Sequence, residues 1–190
     1  MSMHLTSDDR KDLLAIARTA VYEKLCQREF TVGASRIRGN LALQSGAFVT
    51  IRNQAHLRGC IGYVVSEQSL AETIAEIAVK AATQDPRFMP VSPDELDEIT
   101  FEISVLSQLE LLTDLGSIII GVHGLYLEGE YHRGLLLPQV AVENAWDAER
   151  FITQLGKKAG IHDFHLHYPD VQVYTFTADV FNEKSTGQRN

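Results

Sequence analysis

The sequence predicts an α+β fold built on a mainly antiparallel or mixed sheet with flanking helices. Three observations carry this. Some segments place apolar residues at helical spacing and others alternate them at strand spacing, and the two kinds are intermingled. Regular βαβ units are missing, which argues against a doubly wound sheet. Turn residues separate neighbouring strand segments, so hairpins dominate. The 190 residues fit one domain, or one domain with a small lobe, and suffice to bury a full core. Hydrophobic residues make up 45 % and charged residues 22 %, so disorder is expected only at the polar ends, Met1–Thr6 and Glu183–Asn190.

The elements follow in order. Ser7 reads as a helix N-cap with Asp8 and Asp9 in the first turn. Leu13, Leu14, Ala17, Val21 and Leu25 then give a helix from about Asp8 to Gln27. Gly33–Ser45 reads mostly as loop. Ala47–Arg52 and His56–Tyr63 form a hairpin around an Asn53-Gln54 turn. Ser69-x-x-Glu72 has the form of a capping box, and the stripe Leu70, Ile74, Ile77, Ala78, Ala81 predicts a helix over Leu70–Thr83. Asp85-Pro86 stops it, because the residue before proline avoids the helical region. Ser92-Pro93-Asp94-Glu95 predicts a short helical turn. Over Thr100–Ser107, Phe101, Ile103 and Val105 alternate with Thr100, Glu102 and Ser104, which predicts a strand with one wet face. Ser117–Glu128 and Tyr131–Leu137 flank Gly129 as a second hairpin, with Ile118–Val122 as a buried stretch of strand. Asp147 caps a helix carrying Phe151, Ile152, Leu155 and Ala159; Lys157, Lys158 and Gly160 suit its end. Val171–Phe181 is the last strand.

Composition removes several function classes. No apolar run approaches the ~20 residues of a membrane helix, and no signal peptide is read at the N-terminus. Cys26 and Cys60 read as reduced thiols of a cytoplasmic protein. The net charge of −8, with no Lys/Arg cluster, opposes phosphate-driven nucleic-acid binding. No GxGxxG, Walker loop, GxSxG, HExxH or CxxC occurs, so the commonest nucleotide, serine-hydrolase and zinc-protease chemistries lose their simplest support. His162, His165 and His167 form the densest histidine group, but no Cys or acid at convincing spacing completes a ligand set. No metal and no cofactor is predicted.

Leu57-Arg58-Gly59-Cys60-Ile61-Gly62 is the most unusual segment. In a strand, Leu57, Ile61 and Tyr63 point to a core while His56, Arg58 and Cys60 share the other face. A cation beside a thiol favours its nucleophilic form. Gly59 and Gly62 remove bulk around it and mark a bulge or a close approach. The competing reading is structural: a free cysteine behaves as a small hydrophobe, and Arg58 pairs with an acid. His123, between Gly121 and Gly124, would serve as a base if the fold brings it to Cys60. Asp85 and Arg87 flank Pro86 on a loop, where Arg87 offers a planar fork to an anionic or amide group. Gln139, after Pro138, offers an amide.

This segment resembles the hallmark of the AMMECR domain family. The resemblance extends through Ala82–Pro90, Glu102–Ser107, Gly121–Leu125, Leu137–Val140, Trp146-Asp147 and Lys158–Gly160, about Phe48 to Glu183 in all. It implies one two-lobed α+β domain, with a larger lobe from the terminal parts, a smaller lobe from roughly residues 65–110, and the hallmark at a cleft between them. Gly59, Ile61, Gly62, Asp85, Arg87 and Gln139 would line that cleft beside Cys60, Arg58 and His123. The family carries no settled activity. Its prokaryotic members are often encoded beside a Memo-type protein and a radical S-adenosylmethionine enzyme. The implied reading is a thiol-dependent enzyme or enzyme component. The alternatives are a non-catalytic accessory module for those partners and, more weakly, a nucleic-acid binder.

Overall fold

The structure, a computed structural model, describes residues 4–187. In chain order the elements are α1 (Ser7–Leu25), β1 (Ala47–Asn53), β2 (His56–Tyr63), α2 (Leu70–Thr83), β3 (Ile99–Leu106), β4 (Glu110–Leu111), β5 (Gly124–Gly129), β6 (Arg133–Leu136), α3 (Pro138–Glu143), α4 (Ala148–Lys158), β7 (Val171–Phe176) and β8 (Ala178–Asn182). They divide into two compact units. One runs through Leu106 and resumes at Asp179; the other is Ser107–Ala178. The expected smaller lobe over about 65–110 does not match this division. α2 packs on β1 and β2, and β3 pairs with β1, so residues 65–106 stay with the first unit.

The first unit is a four-stranded sheet in the order β2-β1-β3-β8. β1 is antiparallel to both β2 and β3. Ala47, Val49 and Ile51 of β1 and Phe101, Ile103 and Val105 of β3 turn one sheet face towards α1 and α2. α2 starts at the Ser69/Glu72 capping box. Its Leu70, Ile74, Ile77, Ala78 and Ala81 are buried, as the helical stripe predicts. α1 starts one residue earlier than expected. Thr6, not Ser7, is its cap: the Thr6 hydroxyl accepts from the Asp9 N–H while the Asp9 carboxylate accepts from the Thr6 N–H. The polar N-terminal segment is therefore structured at Leu5 and Thr6, and Glu183 at the other end is buried. Residues 1–3 and 188–190 of the two segments expected to be disordered lie outside the described residues.

The second unit is a sheet in the order β4-β7-β5-β6, with Leu125, Leu127, Val173, Phe151, Ile152 and Leu155 in its core. Three expectations change. Ile118–Val122 is a turn, not a buried strand: Ile119 and Val122 are exposed, and Gly121 has φ 84°. Pro138 opens the short helix α3 where a strand end was expected, because its fixed φ suits the first helical position. Val171–Phe181 breaks at Thr177 into β7 and β8, which belong to different sheets. In the first unit, the wet face of β3 is dry at Ser104, which is 3 % exposed.

Candidate functional site

β2 is an edge strand, and its alternation builds the site. Gly59, Ile61 and Tyr63 face α2. Ile61 and Tyr63 pack on the core, and the Tyr63 hydroxyl reaches Glu76 and Lys80 of that helix. Gly59 lies so close to α2 that a Cβ there would stand 2.1 Å from the Ala81 carbonyl oxygen. Gly62 serves the neighbouring strand, since a Cβ there would overlap the Phe48 ring. Both glycines thus have a packing reason for being where they are.

Cys60 is half-exposed and points to the opposite face. Thr50 stands directly across from it on β1, and the Thr50 hydroxyl donates to the Cys60 sulfur at 3.3 Å. The next strand places Glu102 opposite Thr50, so thiol, hydroxyl and carboxylate form one row across three strands. As an edge-strand residue, Cys60 needs partners for its outward backbone groups. Asp85 supplies the first: its Oδ2 accepts from the Cys60 N–H at 2.8 Å. Arg87 supplies the second, with Nη2 3.4 Å from the Cys60 carbonyl oxygen. Asp85 is 5 % exposed and also accepts from the Arg87 Nε, Nη2 and backbone N–H. These hydrogen bonds, Arg87's foremost, hold the Asp85 carboxyl well below the usual carboxylate range against the opposing effect of burial. Arg87 is held above its ordinary value, first by Asp85 and last by its charge interaction with Cys60. Its side chain remains 55 % exposed, so the guanidinium faces solvent.

The structure corrects the role of Arg58. Its Nε and Nη2 donate to the two Glu95 carboxylate oxygens at 2.7 and 3.1 Å, and its Nη1 and Nη2 donate to the Met89 and Pro90 carbonyls. The guanidinium clamps the loop before β3 and is committed there. The Cys60 N–H is equally committed, to Asp85. His123 and Gln139 belong to the second unit. The His123 Nδ1 accepts from the Ile119 N–H at 3.3 Å and the His123 backbone N–H donates to the Ile119 carbonyl, the arrangement of a turn histidine. Gln139 sits half-exposed in the first turn of α3. Among the described residues, no group of three or more His, Cys, Asp or Glu is placed to hold a metal ion, and no helix is long and apolar enough to cross a membrane.

The Arg58 clamp has an acid-range consequence. Hydrogen bonds from Arg58, outweighing desolvation, bring the Glu95 carboxyl from 4.5 down to about 2. A lowered folded-state value contributes stability that is full above the unfolded value and lost as pH falls through the folded one. Glu95→Gln should therefore lower the urea midpoint at neutral pH and flatten its decline between about pH 4.5 and 2. The flattening is partial, because Asp85 titrates in the same direction. A Glu95→Gln curve parallel to the parent curve would show that the clamp does not form.

The sequence matches the AMMECR1 family over residues 14–181. The chain belongs to the AMMECR1 family. A relative from Methanothermobacter thermautotrophicus is 40 % identical over 185 residues, covering 94 % of this chain and 96 % of the relative. Protein TK0174 of Thermococcus kodakarensis is 40 % identical over 182 residues, covering 90 % and 89 %. Among solved structures, the uncharacterized protein PH0010 of Pyrococcus horikoshii shares the fold with a TM-score of 0.87 and 34 % identity, covering 96 % of this chain and 95 % of that one. The AMMECR1 match contains the whole row Thr50, Cys60, Glu102 and the Asp85–Arg87 pair.

Proposed function

We propose that this AMMECR1-family protein is a thiol-dependent enzyme, or the thiol-bearing component of one, working in the cytoplasm on a substrate with an anionic or amide group. The observation that carries this reading is the half-exposed residue Cys60, its sulfur met by the Thr50 hydroxyl, on a strand fixed from behind by the Gly59–Ala81 contact and along its edge by Asp85. Cys60 acts as nucleophile, and Arg87 receives the anionic group, because its outer side is exposed while Asp85 fixes its orientation. Arg58, committed to Glu95, shapes the loop that carries Asp85 and Arg87. A Memo-type protein and a radical S-adenosylmethionine enzyme are the proposed partners.

Alkylation of the Cys26→Ser protein tests this. Iodoacetate should modify Cys60 in the native state, and its rate relative to neutral iodoacetamide should exceed the same ratio for a small free thiol. Arg87→Ala should abolish the excess, because it removes the attracting cation. A Cys60 that resists both reagents until the protein unfolds would overturn the reading and favour the accessory-module alternative, with co-purification of the Memo-type partner as its measurement.

A further inference from the structure

The strands β1 and β2 and the loop from 84 to 98 carry three arginines and no lysine. Each arginine is matched by one carboxylate. Arg58 is bonded to Glu95, Arg87 is bonded to Asp85, and Arg52 lies 3.8 Å from Glu102. The three pairs sum to zero charge, and the loop adds Asp94, Asp97 and Glu98. Phosphoryl groups are bound in the opposite setting, by clustered arginines or by the N–H groups of a helix N-terminus. The helix end at this strand is a C-terminus. α2 ends at Thr83, and its Ala81 carbonyl oxygen faces Gly59. That end carries the negative pole of the helix dipole, which repels a doubly charged anion.

The donors left over are few. The Arg58 Nε, Nη1 and Nη2 are all bonded, to Glu95 or to the Met89 and Pro90 carbonyls. The Arg87 Nε and Nη2 hold Asp85, and Nη2 also reaches the Cys60 carbonyl oxygen. Among the described residues, no acceptor meets the Arg87 Nη1. The guanidinium also lies over the Phe88 ring, 5.4 Å from its centroid. What remains is the edge of the guanidinium: two N–H groups on one nitrogen, beside the Cys60 backbone. A planar, singly charged acid can place an oxygen there. A phosphoryl group would bring three oxygens and up to two charges to the same nitrogen.

Resting on the thiol reading above, we propose that the group received by the Arg87 Nη1 is a carboxylate and not a phosphoryl group. The substrate class is then a carboxylic acid whose reacting carbon meets the Cys60 sulfur. Asp85 sets this preference as much as Arg87 does, because it takes up two guanidinium nitrogens and cancels the charge that a second negative charge on the substrate would need.

Three alkylating probes with one electrophile and one spacer test this: N-iodoacetylglycine, N-iodoacetyl-aminomethylphosphonate and the neutral N-iodoacetylglycinamide. In each, sulfur displaces iodide. Rates on the Cys26→Ser protein at fixed ionic strength are divided by those of a small free thiol. The carboxylate probe should exceed the neutral one by about threefold, as one exposed charge pair allows. The phosphonate probe should fall below the carboxylate probe. Arg87→Ala, checked for folding by its melting temperature, should bring the carboxylate probe level with the neutral one. A second readout needs no thiol. In the Cys60→Ser protein, N-acetylglycine should shift the Arg87 Nε–H signal, and N-acetylaminomethylphosphonate should shift it less. A phosphonate effect equal to or above the carboxylate effect in either measurement would overturn the proposal, as would no carboxylate effect at all. The two readings separate cleanly. A Cys60 untouched by all three probes, with the N-acetylglycine shift intact, refutes the thiol reading and leaves the carboxylate subsite standing. A Cys60 alkylated by all three at equal relative rates refutes the subsite and leaves the thiol standing.

Discussion

Replacing Glu183 by alanine should cost about 3–5 kcal/mol of folding stability. Glu183 is 3 % exposed. Its carboxylate accepts from the Arg18 Nε at 2.6 Å, from the Arg18 Nη2 at 2.7 Å and from the Phe101 N–H at 3.1 Å. Arg18 in turn donates to the Leu96 and Ile99 carbonyls and lies 4.9 Å from the centroid of the Phe101 ring. The pair thus ties α1, the start of β3 and the residue after β8 together. Alanine would leave a guanidinium without its counter-charge and a buried N–H without an acceptor. Removing one partner of a buried pair is far more damaging than the net worth of the pair. Glu183→Gln keeps an acceptor and should fall between parent and alanine. Urea denaturation at neutral pH measures both; a loss below about 1 kcal/mol for alanine would mean that the pair is not desolvated as described.

The second large effect is expected at Gly59. Alanine is the smallest possible addition, yet its Cβ would stand 2.1 Å from a main-chain oxygen of Ala81 and 3.1 Å from the carbonyl carbon. Backbone cannot rotate out of the way as a side chain does, so β2 and the end of α2 must separate. Overpacking of this kind costs about 1–3 kcal/mol. It also carries a functional readout. Moving β2 shifts the Cys60 N–H off Asp85 and the sulfur off Thr50, so Cys60 alkylation should change several-fold at a urea concentration where the variant is still folded. Equal stability and equal alkylation would show that strand and helix are not in contact at this point.

How far the site was legible depends on what fixes each feature. In β2, Ile61 and Tyr63 turn to the core as alternation expects, but Leu57, beyond the register shift, is 36 % exposed. The span of α2 follows from apolar periodicity and capping and stands in the sequence as it stands in the fold. Thr50 does not. The turn sets Asn53 opposite His56, and counting back from that pair places Thr50 across from Gly59. A register shift between Ile51 and Arg52 moves it to Cys60. A bulge adds one residue to one strand and leaves no periodic signature. Arg58 was misread for another reason. Alternation predicts which face a side chain leaves from, but a long side chain reaches past its neighbours, and Glu95 is 37 positions away in sequence. Ile118–Val122 shows that hydrophobicity without alternation does not distinguish a strand from an apolar turn.

The break at Thr177 has a consequence in time. Ser107 and Thr177 are joined by two hydrogen bonds, from the Ser107 N–H to the Thr177 carbonyl and from the Thr177 N–H to the Ser107 hydroxyl, each 2.9 Å. The second unit therefore begins and ends at nearly the same place, as an inserted segment does. On the ribosome it emerges whole before β8 does. The first unit, although it starts earlier, lacks its fourth strand and Glu183 until the insertion has passed. Synthesis from the N-terminus usually lets the leading part of a chain fold first. In this protein the leading part waits, with Arg18 of α1 and the Phe101 N–H of β3 still lacking Glu183, and the middle of the chain is the first portion with all its strands in hand.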